Sequence, residues 1–386
     1  GAASHPHGSL DRRIRAMGRL RGPIGLRGTI REVARLTDAF CRDGPAVLSA
    51  IGADAILADQ MEAAGGLLAE HLGLPFASIA TALPINREPS LPPIYLGWPY
   101  DPTPRGLRRN AGGYRVADWL MRPVAETIAR HAEAFRLPPR TSGEACLSPT
   151  LQIAQAVPAI DFPRVELPAG FHYVGPLAEP GSDGAFEAPD DGRPLAFCSF
   201  GTLQGSRAGL FRRVAGACAD LGLRLVIAHG GRLSPAAERG LPGDPIVRAF
   251  VPQRAVLARA SVMISHCGFN SALDALSFGV PIVATPLAFE QPAIAARLAR
   301  AGVAEIVTPL RRSRRGLGRA LERVLSDPSY ASAAKRVSLE IGSAGGAARA
   351  ADLIEAMLSG AAPREAATMA DAAPDDARDD SRSESR

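Results

Sequence analysis

The stretch that decides the fold runs from residue 250 to residue 291 and reads FVPQRAVLARASVMISHCGFNSALDALSFGVPIVATPLAFEQ. Short apolar runs bounded by turn residues predict strands at 246–251, 262–265 and 282–285. Between the last two, apolar residues at helical spacing predict a helix over 270–278. Strands that alternate with helices through short connections indicate a doubly wound parallel sheet.

The same alternation continues on both sides of this stretch, so the fold class is predicted as α/β throughout. Near the start of the chain, a strand, a helix that ends at Gly73 and a second strand form one βαβ unit, whose strands should be parallel. The further predicted strands are 55–59, 76–80, 195–200, 224–229 and 304–307, and the further predicted helices are 61–72, 116–135, 210–221 and 291–301.

Composition shifts predict four regions along the chain. Residues 178–193, AEPGSDGAFEAPDDGR, are typical of an interdomain linker and separate a first domain, 1–177, from a second, 194–358. Residues 359–386 have almost no large apolar side chain and are predicted to be disordered. Within the first domain, the proline-rich segment 84–106 contains Tyr95, Trp98 and Tyr100, which favours an ordered binding loop.

Charge and cysteine usage narrow the class of protein. The net charge is +5, but the arginines are spread along the chain without interleaved aromatics, so no nucleic-acid partner is predicted. Eight arginines between residues 12 and 35 form either a solvated helix face or a surface for anionic lipid headgroups. No apolar run approaches bilayer length. The five cysteines lack metal-ligand spacing and predict no metal site, a reducing compartment and a cytoplasmic protein, with peripheral attachment to the membrane left open.

A strand that leads through a glycine turn into a helix predicts an anion site at residues 266–271. Free N–H groups and the positive end of the helix dipole converge there, and Gly268 permits close approach of an oxygen. His266, Asn270 and Ser271 add side-chain donors. Asn270 and Ser271 could instead only cap the helix.

Polar residues at the ends of neighbouring strands predict contacts for the rest of a nucleotide sugar. Asp274 lies one helical turn beyond Asn270, where a carboxylate suits ribose hydroxyls. The other candidates fall into three groups: Phe250, Val251 and Gln253 for a base and ribose, Gly201 and Thr202 for a phosphate oxygen, and Glu290 and Gln291 for sugar hydroxyls.

The whole stretch resembles the signature box of family 1 glycosyltransferases. That box reads aromatic-x-Pro-Gln, His-Cys-Gly-Trp-Asn-Ser, an acid, Gly-Val-Pro and Asp-Gln, and the chain departs from it at Phe269, Asp274 and Glu290. The resemblance implies a GT-B-like fold, in which two Rossmann-like domains face each other across a cleft. It also implies transfer of a hexose from a UDP-sugar without any cofactor or metal.

Further motifs are similar to those of bacterial zeaxanthin glucosyltransferases, and the likeness spans about residues 4–358. This resemblance implies UDP-glucose as the donor and a carotenoid hydroxyl as the acceptor. The motifs are ADQMEAAG at 58–65, LPINREP at 83–89, DWLMR at 118–122, DFPR at 161–164, SFGTLQG at 199–205 and PLAFEQPAIAAR at 286–297.

The resemblance also assigns a catalytic position to Asp59. In the family, an aspartate at this strand end orients a histidine that deprotonates the acceptor, although Asp59 could equally cap the following helix. That histidine has no match, since His5 and His7 align elsewhere. The first domain is therefore expected to lack its opening βα units, and the chain as given is expected to bind UDP-sugar poorly or moderately and to catalyse little.

Two other function classes remain as alternatives at this point. The first is a nucleotide-sugar-binding protein without catalysis, and a related possibility is a transferase that acts on another apolar acceptor. The second is a nicotinamide dehydrogenase, which shares the doubly wound sheet. The chain lacks a G-x-G-x-x-G after its first strand, which argues against a dehydrogenase.

Overall fold

The structure, a computed structural model, describes residues 22–177, 184–187, 189 and 191–360. His5, His7, the first five arginines of the basic segment and the predicted disordered tail beyond residue 360 lie outside these ranges, as does much of the predicted linker. The described part contains two parallel sheets with helices packed on them, so the α/β prediction is confirmed.

The first sheet has four parallel strands in the order β1-β2-β3-β4. Both β2 and β3 are central and almost fully buried, as expected for apolar strands covered on both faces. The strands are β1 (Ile56–Asp59), β2 (Phe76–Ala80), β3 (Gln152–Ala154) and β4 (Phe171–Tyr173).

The second sheet has six parallel strands in the order β10-β9-β8-β5-β6-β7. Chain order reverses between β5 and β8, which are neighbours in the sheet although they are not consecutive along the chain. In open α/β sheets such a switch point creates a crevice beyond the carboxyl ends of the strands. The strands are β5 (Leu195–Ser199), β6 (Arg224–Ala228), β7 (Ile246–Arg248), β8 (Ala260–Ser265), β9 (Ile282–Ala284) and β10 (Ala304–Ile306).

Helices connect and cover both sheets. Short 3-10 turns occur at Glu144–Cys146, Pro158–Ile160 and Pro309–Arg311. The helices are α1 (Gly22–Ile51), α2 (Ala64–Leu72), α3 (Pro104–Ala134), α4 (Gly201–Gln204), α5 (Ala208–Asp220), α6 (Pro235–Arg239), α7 (Gln253–Leu257), α8 (Phe269–Ser277), α9 (Gln291–Arg300), α10 (Arg314–Ser326), α11 (Pro328–Ser343) and α12 (Gly346–Ser359).

The helix limits in the first domain differ from the predicted ones. Helix α3 begins at Pro104 rather than near residue 116, because Thr103 caps it through a hydrogen bond from Gly106 N to Thr103 Oγ1 (3.3 Å). Helix α2 begins at Ala64 rather than residue 61. Its predicted end is confirmed, since Gly73 adopts the left-handed conformation at φ 66°.

Helix α12 packs against the first sheet, although the predicted domain limits place it in the second domain. Ala350 and Leu353 of this helix share an apolar cluster with Ile153 and Val174 of the first domain. Burial of one apolar stripe against the nearest uncovered sheet decides this placement, and no local sequence pattern shows which sheet that is. The helix also extends through Ser359, one residue into the predicted tail.

The two sheets are joined by a continuous apolar cluster. Ala154 and Ile160 of the first domain belong to the same buried cluster as Leu276 and Leu298 of the second. The carboxyl ends of the strands in both domains are therefore held close to one another, and the site is built there.

Candidate active site

The switch point of the second sheet holds an anion cradle formed by Gly201, His266, Gly268 and the N-terminus of α8. Gly268 is the N-cap residue of α8, so the first N–H groups of the helix point outward from this place. The turn before it is tight, because Cys267 has φ 65° and its N–H donates to Ser265 Oγ at 3.0 Å. The predicted anion site thus has the backbone geometry that such sites require.

The imidazole of His266 fills the space between the two glycines of the cradle. A Cβ atom at Gly201 would lie 2.9 Å from His266 Nε2, and one at Gly268 would lie 2.7 Å from it. Real Cβ atoms do not approach so closely, so a larger residue at either position would force the His266 ring to shift. Sequence reasoning placed all three residues at the site but did not show that they pack as one unit.

The His266 ring is a buried group that is uncharged at neutral pH. It is 8% exposed, and its Nδ1 is buried without a hydrogen bond of ordinary geometry. Burial lowers the pKa of His266 to about 4, an effect that the backbone of Ser199 only partly opposes. A bound diphosphate would favour the charged form and raise this pKa.

Asp274 and Gln253 form one preorganised unit beside the cradle. Gln253 Nε2 donates to Asp274 Oδ2 at 2.6 Å, and Arg254 Nη1 donates to Asp274 Oδ1 at 3.0 Å. Arg254 in turn lies over the Phe278 ring at 5.1 Å. The sequence prediction missed Arg254, which directly follows Gln253 and fixes the orientation of the carboxylate.

The other residues predicted to contact the nucleotide sugar differ in how far their side chains are exposed. Phe250 is 69% exposed, so its ring is available for stacking on a flat group, whereas Val251 packs against the core. Thr202 is exposed in the first turn of α4, next to Gly201. Ser271 is half-buried in the first turn of α8.

Glu290 and Gln291 lie at the start of α9, but they do not present equivalent groups. Gln291 is 5% exposed, and its Oε1 accepts hydrogen bonds from Leu287 N at 2.8 Å and Ala288 N at 2.9 Å. Its carbonyl oxygen therefore holds the preceding loop, and the predicted contact with a sugar would have to use its amide Nε2. Phe289 has φ 54°, a costly conformation for a bulky residue, and this sets the direction of Glu290.

Asp59 is connected to the anion cradle through a chain of side chains. Its Oδ2 accepts from Thr81 Oγ1 at 2.6 Å, and its Oδ1 accepts from Met61 N at 2.8 Å. Gln155 Nε2 donates both to the carbonyl oxygen of Thr81 and to Asn270 Oδ1, the latter at 2.6 Å. Among the histidines that the structure describes, none is hydrogen-bonded to Asp59.

The proline-rich loop of the first domain reaches the sugar-facing end of α9. A Cβ atom at Gly97 would lie 2.9 Å from Pro292 Cβ, so the loop lies directly on this helix. Burial raises the pKa of Tyr95, although 40% of the residue stays exposed, and the nearby Glu290 carboxylate raises it further. The loop therefore packs on the second domain, and its role in binding stays a prediction.

A buried charged network, which sequence reasoning did not assign, locks the two domains together. Asp161 Oδ1 accepts from Arg297 Nε at 2.7 Å, and Asp161 Oδ2 accepts from Arg164 Nε at 2.6 Å and from Tyr173 Oη at 2.9 Å. These two guanidinium groups hold the pKa of Asp161 at about 2 against the effect of burial. Arg297 lies on α9, so this network fixes the helix that carries Gln291.

The network also explains why separate first-domain motifs belong together. Arg164 of DFPR donates to the carbonyl oxygens of Pro84 (3.1 Å) and Asn86 (2.9 Å) in LPINREP. Arg87 of the same motif pairs with Asp118 of DWLMR at 2.7 Å. The motifs thus form one structural support around the cleft.

Comparison with known proteins identifies the family. A family model described as UDP-glucoronosyl and UDP-glucosyl transferase matches residues 118–340. The chain belongs to this family. It is therefore a UDP-dependent glycosyltransferase, and the enzyme class predicted from the signature box is confirmed.

Two curated relatives of this transferase cover most of its length. The zeaxanthin glucosyltransferase of Pseudescherichia vulneris is 43% identical over 333 residues, which is 86% of this chain and 80% of the relative. The zeaxanthin glucosyltransferase of Pantoea ananas is 38% identical over 363 residues, which is 93% of this chain and 84% of the relative.

Solved structures confirm the GT-B-like fold of the transferase. The calicheamicin glycosyltransferase CalG4 is 26% identical, has a TM-score of 0.68 and covers 85% of this chain and 81% of its own. The glycotransferase of kitacinnamycin, at 21% identity and a TM-score of 0.67, covers 92% of this chain and 84% of its own and shares the fold. In the ranges that the structure describes, no helix has the length and apolar character needed to cross a bilayer.

Proposed function

We propose that this transferase moves glucose from UDP-glucose to a hydroxyl group of a carotenoid such as zeaxanthin, with inversion at the anomeric carbon. The observation that carries the proposal is the preformed anion cradle at Gly268, flanked by the Gln253–Asp274 unit and by Glu290. Its donor groups suit a diphosphate between a nucleoside and a hexose. The acceptor class rests on the two long relatives, both of which are named for zeaxanthin.

The proposed reaction forms one bond and breaks one. The acceptor oxygen bonds to the anomeric carbon while the bond from that carbon to the β-phosphate oxygen breaks, and its electron pair leaves with UDP. The α8 N–H groups and a protonated or donating His266 stabilise the developing charge on the diphosphate. These groups supply the stabilisation that a metal would otherwise provide, so we propose a metal-independent reaction.

The acceptor proton must leave as the new bond forms. Asp59 is placed to orient a base, since its carboxylate lies at the carboxyl end of β1 and is coupled through Thr81 and Gln155 to the cradle. In this proposal Asp59 positions the proton acceptor. Gln155 links the first-domain residues that face the acceptor to the second-domain residues that face the donor, and so fixes their relative position.

Two measurements on the purified protein test the donor and the acceptor separately. Isothermal titration calorimetry with UDP and UDP-glucose measures donor binding, and mass spectrometry of zeaxanthin incubated with UDP-glucose detects a glucoside. Heat from both nucleotides is expected, together with a small amount of glucoside, since none of the described histidines accompanies Asp59. Transfer to a soluble polyketide or flavonoid, but not to zeaxanthin, would refute the acceptor class and leave the donor site intact.

The alternative of a nucleotide-sugar-binding protein without catalysis makes a different prediction. Such a protein would give calorimetric binding of UDP-glucose but neither a glucoside nor slow release of free glucose. Both carboxylate oxygens of Asp59 already accept hydrogen bonds within the chain. This observation favours the alternative.

An acceptor dissolved in a bilayer requires the enzyme to work at the membrane. We therefore also propose that the transferase acts from the cytoplasm as a peripheral protein on the inner face of the membrane. Support comes from the excess of arginine in the first 35 residues and from the apolar, proline-rich loop beside the cleft.

A further inference from the structure

The outer surface of α3 carries an exposed tryptophan surrounded by arginines. Trp119 is 61% exposed and Val116, one helical turn before it, is 58% exposed. Arg108, Arg115 and Arg122 recur at intervals of seven residues, which places them along one stripe of the helix that also contains Trp119. All three arginines are exposed, and Arg122 pairs with Glu126 at 2.7 Å.

Helix α1 extends this surface across its contact with α3. The Arg27 guanidinium lies 5.8 Å from the centre of the Trp119 ring, and Leu26 beside it is 49% exposed. The contact joins the first turns of α1 to the middle of α3. Apolar side chains and arginines therefore form one continuous patch over two helices.

A basic groove adjoins this patch. It has a volume of about 320 Å³ between α1 and α3 and is lined by Arg31, Arg35 and Arg130, with Glu126 as the acidic residue of its wall. Arg35 pairs with Glu32 and Arg130 pairs with Asp38, so the groove is basic but partly compensated. A phosphate group could enter it beside Arg31.

We propose that this surface docks on a bilayer that contains anionic lipid. We call it the α1–α3 face and define it by Leu26, Arg27, Arg115, Val116, Trp119 and Arg122. Tryptophan prefers the boundary between headgroups and acyl chains, and arginine binds phosphate while its aliphatic stem lies along apolar surface. A nucleic acid would match the charge of this face but would leave Val116 and Leu26 in water.

The α1–α3 face is connected to the cleft through contacts between α3 and the proline-rich segment. Asp118, the neighbour of Trp119, pairs with Arg87 at 2.7 Å, and Arg87 lies in the loop that borders the first-domain site. Trp98 of the proline-rich loop also packs on α3 at Gly113. Docking would thus hold the acceptor loop against the lipid surface, a consequence that rests on the proposed carotenoid acceptor.

Vesicle binding tests the proposal on the intact chain. The protein is sedimented with vesicles of phosphatidylcholine alone or mixed with phosphatidylglycerol, at low and high salt. Binding to the mixed vesicles, weakened by salt, is expected. Arg115→Gln with Arg122→Gln should lower the partition coefficient about 30-fold. The matched control is Arg315→Gln with Arg319→Gln on α10, which should leave binding unchanged.

The two tryptophans of the chain allow a direct readout of insertion. In Trp98→Phe, the remaining Trp119 should shift its emission to shorter wavelength when mixed vesicles are added. In Trp119→Phe the shift should be much smaller, since Trp98 is half-buried against Gly113 before docking. Trp119→Ser with Val116→Ser should weaken binding, and Leu339→Ser, at a site that is 68% exposed on α11, should not.

Some outcomes would overturn the docking proposal without touching the proposed function. These are equal binding to neutral vesicles, binding that none of the α1–α3 face variants changes, or preference for DNA over lipid. Zeaxanthin glucosylation in detergent micelles is independent of docking. Loss of glucosylation in vesicles alone, by the α1–α3 face variants, would support the face, whereas no product in either medium would refute the carotenoid acceptor instead.

Discussion

At the scale of single residues, the imidazole of His266 packs between two glycines. Gly201 and Gly268 lie against the ring, and its Nδ1 makes no hydrogen bond of ordinary geometry within the described part of the protein. A neutral ring in a closed space suits an anionic ligand, which would supply the missing interaction. This packing has consequences for ligand affinity and for the pH dependence of stability.

The first prediction concerns the glycine at the start of α4. Gly201→Ala should weaken UDP binding by about tenfold or more, because the new Cβ would push His266 and the new side chain would strain a backbone at φ 67°. Gly222→Ala is the matched control, since Gly222 has φ 65° but no atom within 4 Å of the added Cβ. Calorimetry with UDP measures the difference, and equal affinities in the two variants would contradict the packing argument.

The second prediction concerns pH. The pKa of His266 is about 4 in the folded protein and 6.5 for a histidine exposed to water, so the unfolded chain binds more protons between these values. The free energy of unfolding should therefore fall as pH falls from 6.5 towards 4, by at most about 3 kcal/mol from this group. Urea denaturation at several pH values measures this change. Between pH 6.5 and 4, the free energy of unfolding should fall less in His266→Asn than in the parent protein.

The third prediction tests the link between the two sides of the cleft. Gln155→Met keeps the length of the side chain but removes both hydrogen bonds, to Thr81 and to Asn270. We expect a fall of about 30-fold in kcat with a much smaller change in UDP affinity, since each of the two lost hydrogen bonds costs about 1 kcal/mol. An unchanged kcat would show that the link is not used, and circular dichroism controls for folding.

Helix α9 is positioned at the scale of elements by groups at its start and along its length. At its start, the Gln291 amide holds the preceding loop, and farther along Arg297 is buried against Asp161 and lies 4.3 Å from the centre of the Phe162 ring. A buried charge of this kind is stable only while its partners remain. The orientation of Glu290 therefore depends on a contact with the other domain.

The fourth prediction follows from this dependence. Asp161→Asn should lower the free energy of unfolding by about 3–5 kcal/mol, because it leaves Arg297 and Arg164 buried without their shared carboxylate. In the parent protein, the stabilisation from Asp161 is present above its ordinary pKa of 3.8 and is lost as pH falls towards about 2. Asp327→Asn at an exposed helix N-cap is the control, for which little or no change is expected in urea denaturation, since asparagine caps a helix about as well as aspartate.

The whole molecule is held together by features that cross the domain boundary. Helix α12 returns from the second domain to cover the first sheet, and the apolar cluster around Ile160 and Leu298 joins the sheets. The cleft is thus lined by two sets of strand ends whose relative position is fixed by packing. In the proposed function, a diphosphate bound there would be surrounded by backbone dipoles and by the donor groups of the cradle.

The fifth prediction concerns the metal requirement of the whole enzyme. Because the cradle offers the N-terminus of α8 and His266 to the leaving diphosphate, glucosyl transfer should proceed at the same rate in excess EDTA as without it. Initial rates with and without added magnesium measure this directly. A rate that collapses in EDTA and returns with magnesium would contradict the proposed stabilisation of the diphosphate.

Sequence periodicity and motif spacing determined the α/β class, the parallel sheets and the placement of the anion cradle at a strand-to-helix turn. These features depend on neighbours within about ten residues, where apolar alternation, glycine turns and helix caps act directly. The segment 250–291 is therefore informative by itself. It places Gly268, Asn270, Asp274 and Glu290 on elements whose ends converge.

Tertiary structure alone decided which side chains share a contact across long separations. The pairing of Asp161 with Arg297, the bridge from Gln155 to Asn270 and the return of α12 to the first sheet join residues over one hundred positions apart. Such contacts are selected by burial and by the need to pair buried charges, and neither leaves a local pattern in the chain. The α1–α3 face arises in the same way, because Arg27 and Trp119 meet only after two helices have packed.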